Sequence, residues 1–184
     1  MQTKINAGKF IFVRHGQSQA NADGIIADAH SPLTEAGIEQ ARITANELRS
    51  FNITMIVCSP YLRTQQTAET IAGELGIEIA HIKIIEELRE RGLGVLENNP
   101  KEHEGTWYFT DDESVGIEPR QKLFERMNKC LKTLQSIGEN ENLLVIGHAI
   151  SGFYLLQAAA KKPSIELFDL PSQMSNADYI KVEY

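Results

Sequence analysis

The chain has 184 residues, 42% of them hydrophobic, and its 18 basic and 25 acidic side chains give a formal charge of −7. That length suits one domain over residues 1–184, able to bury roughly 70% of the surface its unfolded form would expose. The acidic balance excludes the broad basic footprint of a nucleic-acid or anionic-membrane binder, so any anion site must be a local concentration of charge.

The first nine residues lack the apolar run of a signal peptide, and the most apolar stretch, Leu143 to Ala160, is interrupted by Gly147, His148, Ser151 and Gly152. That stretch reads as a strand followed by a helix rather than a membrane span. Cys58 and Cys130 lie outside any CxxC pattern and read as reduced thiols, which together predicts a cytoplasmic protein.

Phe10-Ile11-Phe12-Val13 is a short apolar run of the buried parallel-strand type, and it ends in Arg14-His15-Gly16. Thr34 predicts an N-cap for a helix carrying Ile38, Ala41, Ala45 and Leu48 on one face. Met55 to Cys58 is the next strand, stopped by Ser59-Pro60, and a helix with Ala68, Ile71, Ala72 and Leu75 on one side ends at Gly76. Ile82 to Ile85 offers another strand. Residues 98–119 are polar and acidic around Trp107-Tyr108-Phe109 and read as a cap-like insertion over a crevice. A helix then places Phe124, Met127, Leu131 and Leu134 on one face and stops at Gly138. Leu143 to Ile146 runs into Gly147-His148-Ala149, and Tyr179 to Val182 closes the chain. This alternation predicts an α/β fold.

Two strand-end histidines stand out, because in open parallel sheets ligands bind beyond the carboxyl ends of the strands. His15 and His148 each also read as a hydrogen-bonded core histidine, and Arg14 as a surface ion-pair partner, but the same placement occurring twice is hard to ascribe to packing. Gly16 would let the backbone turn sharply after His15. Arg63 falls in the first turn of a helix, where a cation opposes the macrodipole, a position that suits phosphate binding with Arg14 better than it suits the helix. Glu86, Glu87, Glu90 and Glu97 are all candidates for a general acid.

Five ordered blocks resemble the histidine phosphatase (phosphoglycerate mutase-like) superfamily: Arg14-His15-Gly16-Gln17-Ser18-Gln19-Ala20-Asn21, Leu33 to Ala41, Ser59 to Ala68, Leu88 to Glu97, and Gly147-His148. The resemblance implies a three-layer α/β/α fold on a mostly parallel sheet. It also implies a metal-independent phosphomonoester hydrolase without cofactor, in which His15 accepts the phosphoryl group and Glu90 is the proton donor. Arg14, Arg63, His148 and Asn21 would hold the phosphoryl oxygens, with Ser18, Ala149 and Glu113 as further substrate contacts. Glu90 must carry a proton in the first half-reaction, which burial and a nearby dianion would favour. The implied partner is a phosphorylated small molecule, with a phosphoprotein as the alternative. A phosphoglycerate mutase-type phosphotransferase and a non-catalytic phosphate-binding module are the competing readings. Asn98 departs from the family's common Gly after Glu97, Asp112 from the Gly often found before Glu113-Ser114. His30, His81 and His103 show no metal-ligand spacing, and Glu102-His103-Glu104 reads as a solvated turn.

Overall fold

The computed structural model describes residues 8–101, 110–161 and 174–184. Residues Glu102, His103, Glu104, Trp107, Tyr108 and Phe109 lie outside them. Five strands form one sheet: β1 (Lys9–Arg14), β2 (Met55–Cys58), β3 (Ile82–Ile84), β4 (Leu143–Gly147) and β5 (Tyr179–Glu183), in the order β3-β2-β4-β1-β5. All neighbours are parallel except β5, which runs antiparallel to β1 along the edge.

Alternation along the central strands builds the two outer layers. Ile11, Val13, Ile56, Cys58, Leu144 and Ile146 face one side, where they meet Ala41, Ala45 and Leu48 of α2 (Glu35–Leu48) and Ala68, Ile71 and Ala72 of α3 (Leu62–Leu75). Phe10, Phe12, Met55, Val57, Leu143 and Val145 face the other side. There they pack on α4 (Arg120–Gly138) through Leu123, Met127, Cys130 and Leu134, and on α5 (Ala149–Ala159) through Ile150, Tyr154 and Leu155. Every side chain of β2 and β4 is buried, which is why these strands are unbroken apolar runs.

The helix ends follow the expected chemistry. Thr34 caps α2 by accepting the Gly37 N–H, and Gly76 ends α3 in the left-handed region at φ 70°. The buried face of α4 is centred on Leu123 and Cys130, and Phe124 is only half-buried, because the apolar stripe starts one residue earlier than the spacing from Phe124 suggests. A short helix, α1 (Gln19–Ala22), has no apolar periodicity to announce it; it forms because Ser18 and Asn21 make a reciprocal capping box. Among the described residues no helix is long and apolar enough to cross a membrane.

Close backbone approaches bring the site together. A Cβ on Gly16 would lie 2.3 Å from the Gly37 carbonyl oxygen, and one on Gly37 would lie 2.1 Å from the Gln17 carbonyl oxygen. Gly16 is not among the residues with positive φ, so the requirement at this position is space for α2 rather than the expected freedom to turn. On the opposite face, Phe12 fills the room left by Gly147 and Gly152, where an added Cβ would meet its ring at 2.8 and 2.5 Å. The ring thereby sets how closely α5 approaches β1.

Gly37→Ala is expected to destabilise the fold by about 1–3 kcal/mol or more, since backbone rather than a flexible side chain would have to move. Urea denaturation measures it; an unchanged midpoint would show that the α2 contact is looser than described.

Candidate active site

Strands β1 and β4 are adjacent, with Arg14 in register with Gly147, so His15 and His148 leave the sheet side by side. Their rings lie 5.3 Å apart at 65°, and both side chains are buried. His15 Nδ1 is 2.7 Å from the Gly16 carbonyl oxygen. A carbonyl can only accept, so Nδ1 carries the proton and Nε2 is the lone pair. That lone pair accepts from Arg63 Nε at 3.2 Å. Burial first, then the nearby Arg63 guanidinium, with lesser effects of Arg14 and Lys101, holds the His15 imidazole well below its ordinary pKa. His148 is shifted the same way by burial, Arg63 and His15. Both rings are therefore neutral bases near pH 7.

A cleft beyond these strand ends is lined by Arg14, His15, Asn21, Arg63, Glu90, Lys101 and Ala149 among others. Arg63 is 2% exposed and is steered by the Asp28 carbonyl, which its Nη1 meets at 2.5 Å, and by the Tyr61 ring, 5.0 Å from its guanidinium carbon. Arg14 donates from Nη1 to the Met174 carbonyl at 2.6 Å. Asn21 Oδ1 accepts from the Ser18 N–H at 3.2 Å and from Asn176 Nδ2 at 3.3 Å, which leaves its own amide donors for the cleft.

Glu90 is half-buried at the N-terminus of α5. Its carboxylate accepts the N–H groups of Ile150 at 3.1 Å, Ser151 at 2.7 Å and Arg91 at 2.9 Å. Three amide donors at the start of a helix thus hold the carboxylate in one place. The loop bearing Glu90 is pinned from below by Arg126, which donates to the carbonyls of Glu87 at 2.6 Å and Arg89 at 2.8 Å while forking onto Glu118.

Known proteins share the fold and resemble the sequence. The model of the histidine phosphatase superfamily (branch 1) matches residues 10–184. The chain belongs to that superfamily. A relative from Enterobacter sp. (strain 638), named a probable phosphoglycerate mutase, is 36% identical over 151 residues, spanning 76% of this chain and 68% of its own. The mycobacterial glucosyl-3-phosphoglycerate phosphatase, solved with VO3, superposes with a TM-score of 0.78 at 20% identity, covering 95% of this chain and 90% of its own. An α-ribazole phosphatase of Shigella flexneri gives 0.74 at 22%, covering 94% and 89%. At these identities the two structures establish shared fold alone.

The histidine phosphatase blocks bring His15, Arg14, Arg63, Asn21, Glu90 and Ala149 to one cleft, with His148 packed against its base. Two expected contacts are corrected. Ser18 is fully buried and its hydroxyl accepts the Asn21 N–H at 3.3 Å, so it caps α1 instead of facing substrate. Glu113 sits in an exposed turn outside the cleft and pairs with Lys122 of α4. The Asn98 departure is conformational: its φ is 63°, a left-handed position that Asn tolerates better than most residues, and its side chain ties onto Asp28 at 3.2 Å. Lys101 and Asn176 were not foreseen. Lys101 is the one Lys or Arg in residues 98–119, a signal available in the sequence. Asn176 donates to the His15 carbonyl at 3.1 Å from the far end of the chain, and nothing local announces it.

Unfolded histidines titrate near pH 6.5. Below that pH the unfolded chain takes up protons that the folded chain, with His15 and His148 depressed, does not. Stability is therefore full above about 6.5 and falls on acidification, with a slope approaching about 1.4 kcal/mol per pH unit for each histidine. Urea midpoints between pH 5.5 and 7.5 test this; a flat profile would contradict it, and His148→Gln is expected to reduce the slope.

Proposed function

We propose that the chain is a phosphomonoester hydrolase that works through a phosphohistidine on His15. The observation that carries this reading is the contact of His15 Nδ1 with the Gly16 carbonyl, which leaves the Nε2 lone pair against Arg63 at the cleft. Nε2 attacks phosphorus and the bond to the ester oxygen breaks, while Arg14, Arg63 and Asn21 stabilise charge on the equatorial oxygens. Glu90 hands a proton to the leaving oxygen, then takes one from the water that splits the phosphorus–nitrogen bond, so each half-reaction restores what the other used.

The phosphoryl group of the substrate can itself bring a proton into the cleft. The second ionisation of a phosphate monoester lies near pH 6, so a monoanion is available at mildly acidic to neutral pH. The low basicity of His15 keeps the nucleophile unprotonated over the same range. The expected profile of kcat/KM therefore declines on the alkaline side and has its acid limb below pH 6.5; an acid limb at or above 6.5 would contradict a depressed His15.

A phosphoglycerate mutase activity is the second reading, favoured by the name of the 36%-identical relative and by Lys101 beside the cleft, a cation suited to a substrate carboxylate. Against it, residues 98–119 offer no other Lys or Arg, while passing a phosphoryl group between two hydroxyls of a phosphoglycerate requires holding a second phosphoryl group as well as the carboxylate. The intact set of His15, Arg14, Arg63, Glu90 and His148 argues against a binding module without turnover.

Phosphate release from an activated aryl phosphate, with chelator present, is expected for the wild type and absent for His15→Ala, together with loss of the acid-labile phosphoenzyme. A His15→Ala protein that still forms one excludes His15 as nucleophile. Glu90→Gln is expected to slow turnover of poor leaving groups by about 10²–10⁴ and that of good ones much less. Equal losses would remove Glu90 as the proton donor. Interconversion of phosphoglycerates exceeding phosphate release would favour the mutase.

A further inference from the structure

Ser59 heads the block that supplies Arg63, yet the reaction outlined above gives it no task. It is fully buried just beyond β2, its N–H donating to the Ile146 carbonyl at 3.1 Å and its own carbonyl accepting from Thr64 Oγ1 at 2.9 Å. Its hydroxyl oxygen lies 2.7 Å from His148 Nε2 and accepts the Tyr61 N–H at 3.3 Å. Among the described residues these are the two hydrogen bonds of that hydroxyl. With one lone pair taken by Tyr61, a buried O–H is satisfied only by donating to His148 Nε2. Nε2 is then an acceptor, and the proton of the neutral ring sits on Nδ1.

His148 Nδ1 is itself buried and meets no hydrogen-bond partner among the described residues, in a ring 5.3 Å from that of His15. A buried donor without an acceptor costs about 1–3 kcal/mol, and that cost is recovered when an oxygen arrives. The opposite tautomer would present a bare lone pair to an anionic oxygen at the same place. We propose that Ser59 is a positioning residue that locks His148 as the Nδ1–H tautomer, making it a neutral donor to an oxygen of the phosphoryl group bound at His15. This rests on the phosphohistidine reading of His15. It accounts for the pairing of the two histidines: a carbonyl fixes one as nucleophile, a hydroxyl fixes the other as donor.

The test is made on the full chain without substrate. Histidine-selective ¹⁵N labelling and long-range ¹H–¹⁵N spectra at neutral pH report which ring nitrogen is protonated, and the His148 signals are those missing from His148→Gln. The wild type is expected to show Nδ1–H, Ser59→Ala a shift towards Nε2–H, and Ser59→Thr, which keeps the hydroxyl, the wild-type pattern. Inorganic vanadate, a five-coordinate mimic of the phosphoryl group in flight, is expected to bind about tenfold more weakly to Ser59→Ala and within about threefold of wild type to Ser59→Thr. An Nε2–H tautomer in the wild type overturns the proposal, and that spectrum decides even if Ser59→Ala does not fold. Wild-type spectra and vanadate affinity in a folded Ser59→Ala overturn it too. Neither readout needs turnover, so the two ideas fail separately. Nδ1–H with tight vanadate but no phosphoenzyme would refute the role of His15 and keep that of Ser59, whereas a phosphoenzyme formed beside an Nε2–H His148 would do the reverse.

Discussion

An imidazole buried between guanidinium groups can serve as a nucleophile only if it stays neutral and its lone pair faces the substrate. The 2.7 Å contact between His15 Nδ1 and the Gly16 carbonyl meets the second requirement, and burial beside Arg63 and Arg14 meets the first. Much of the surrounding structure serves that one contact. Gly16 has to lie against Gly37 with no side chain between them, and its N–H donates to Thr67 Oγ1 at 3.1 Å on α3. The His15 carbonyl receives both Ala177 N–H at 3.1 Å and Asn176 Nδ2 at 3.1 Å. The backbone around the histidine is thus clamped from α2, α3 and the approach to β5, so the ring has little freedom to turn its lone pair away.

Ala177 shows what that clamp requires. It is a buried, non-glycine residue at φ 60°, a conformation that persists only where its surroundings over-determine it. Here they do: its N–H is shared between the carbonyls of Arg14 and His15, and its carbonyl accepts from Thr44 Oγ1 at 2.6 Å. The strained residue joins the edge strand to the back of the site, coupling the end of the chain to the first strand.

How much of this was legible in the sequence depended on whether the cause was local. Apolar runs such as Leu143 to Ile146, caps such as Thr34 and stops such as Gly76 act within a few residues, and the strands and helices they define are where the sequence puts them. The strand-end histidines were legible because packing alone seldom calls for a titratable side chain directly after a buried strand. Ser18 misled because a hydroxyl in a family motif reads equally as ligand or cap, and only its burial separates the two. Glu113 misled because its surroundings are set by Lys122, across a helix start that the motif does not include. Asn176 was invisible for a different reason: its partners, the His15 carbonyl and Asn21, are brought to it by sheet order, which no local pattern encodes.

The start of α5 raises a choice that the fold resolves in an unusual direction. A helix N-terminus beside a cleft lined by arginines is a ready anion site, and the obvious occupant is a bound anion. In this protein the Ile150 and Ser151 amides are instead given to Glu90, and Ala149, the first residue of the helix, lines the cleft. The helix start is thereby committed to a carboxylate of the chain itself rather than to a bound anion. In the proposed reaction the helix would hold Glu90 at a defined place for proton transfer, while the arginines, whose forked donors better match a tetrahedral anion, would take the phosphoryl oxygens.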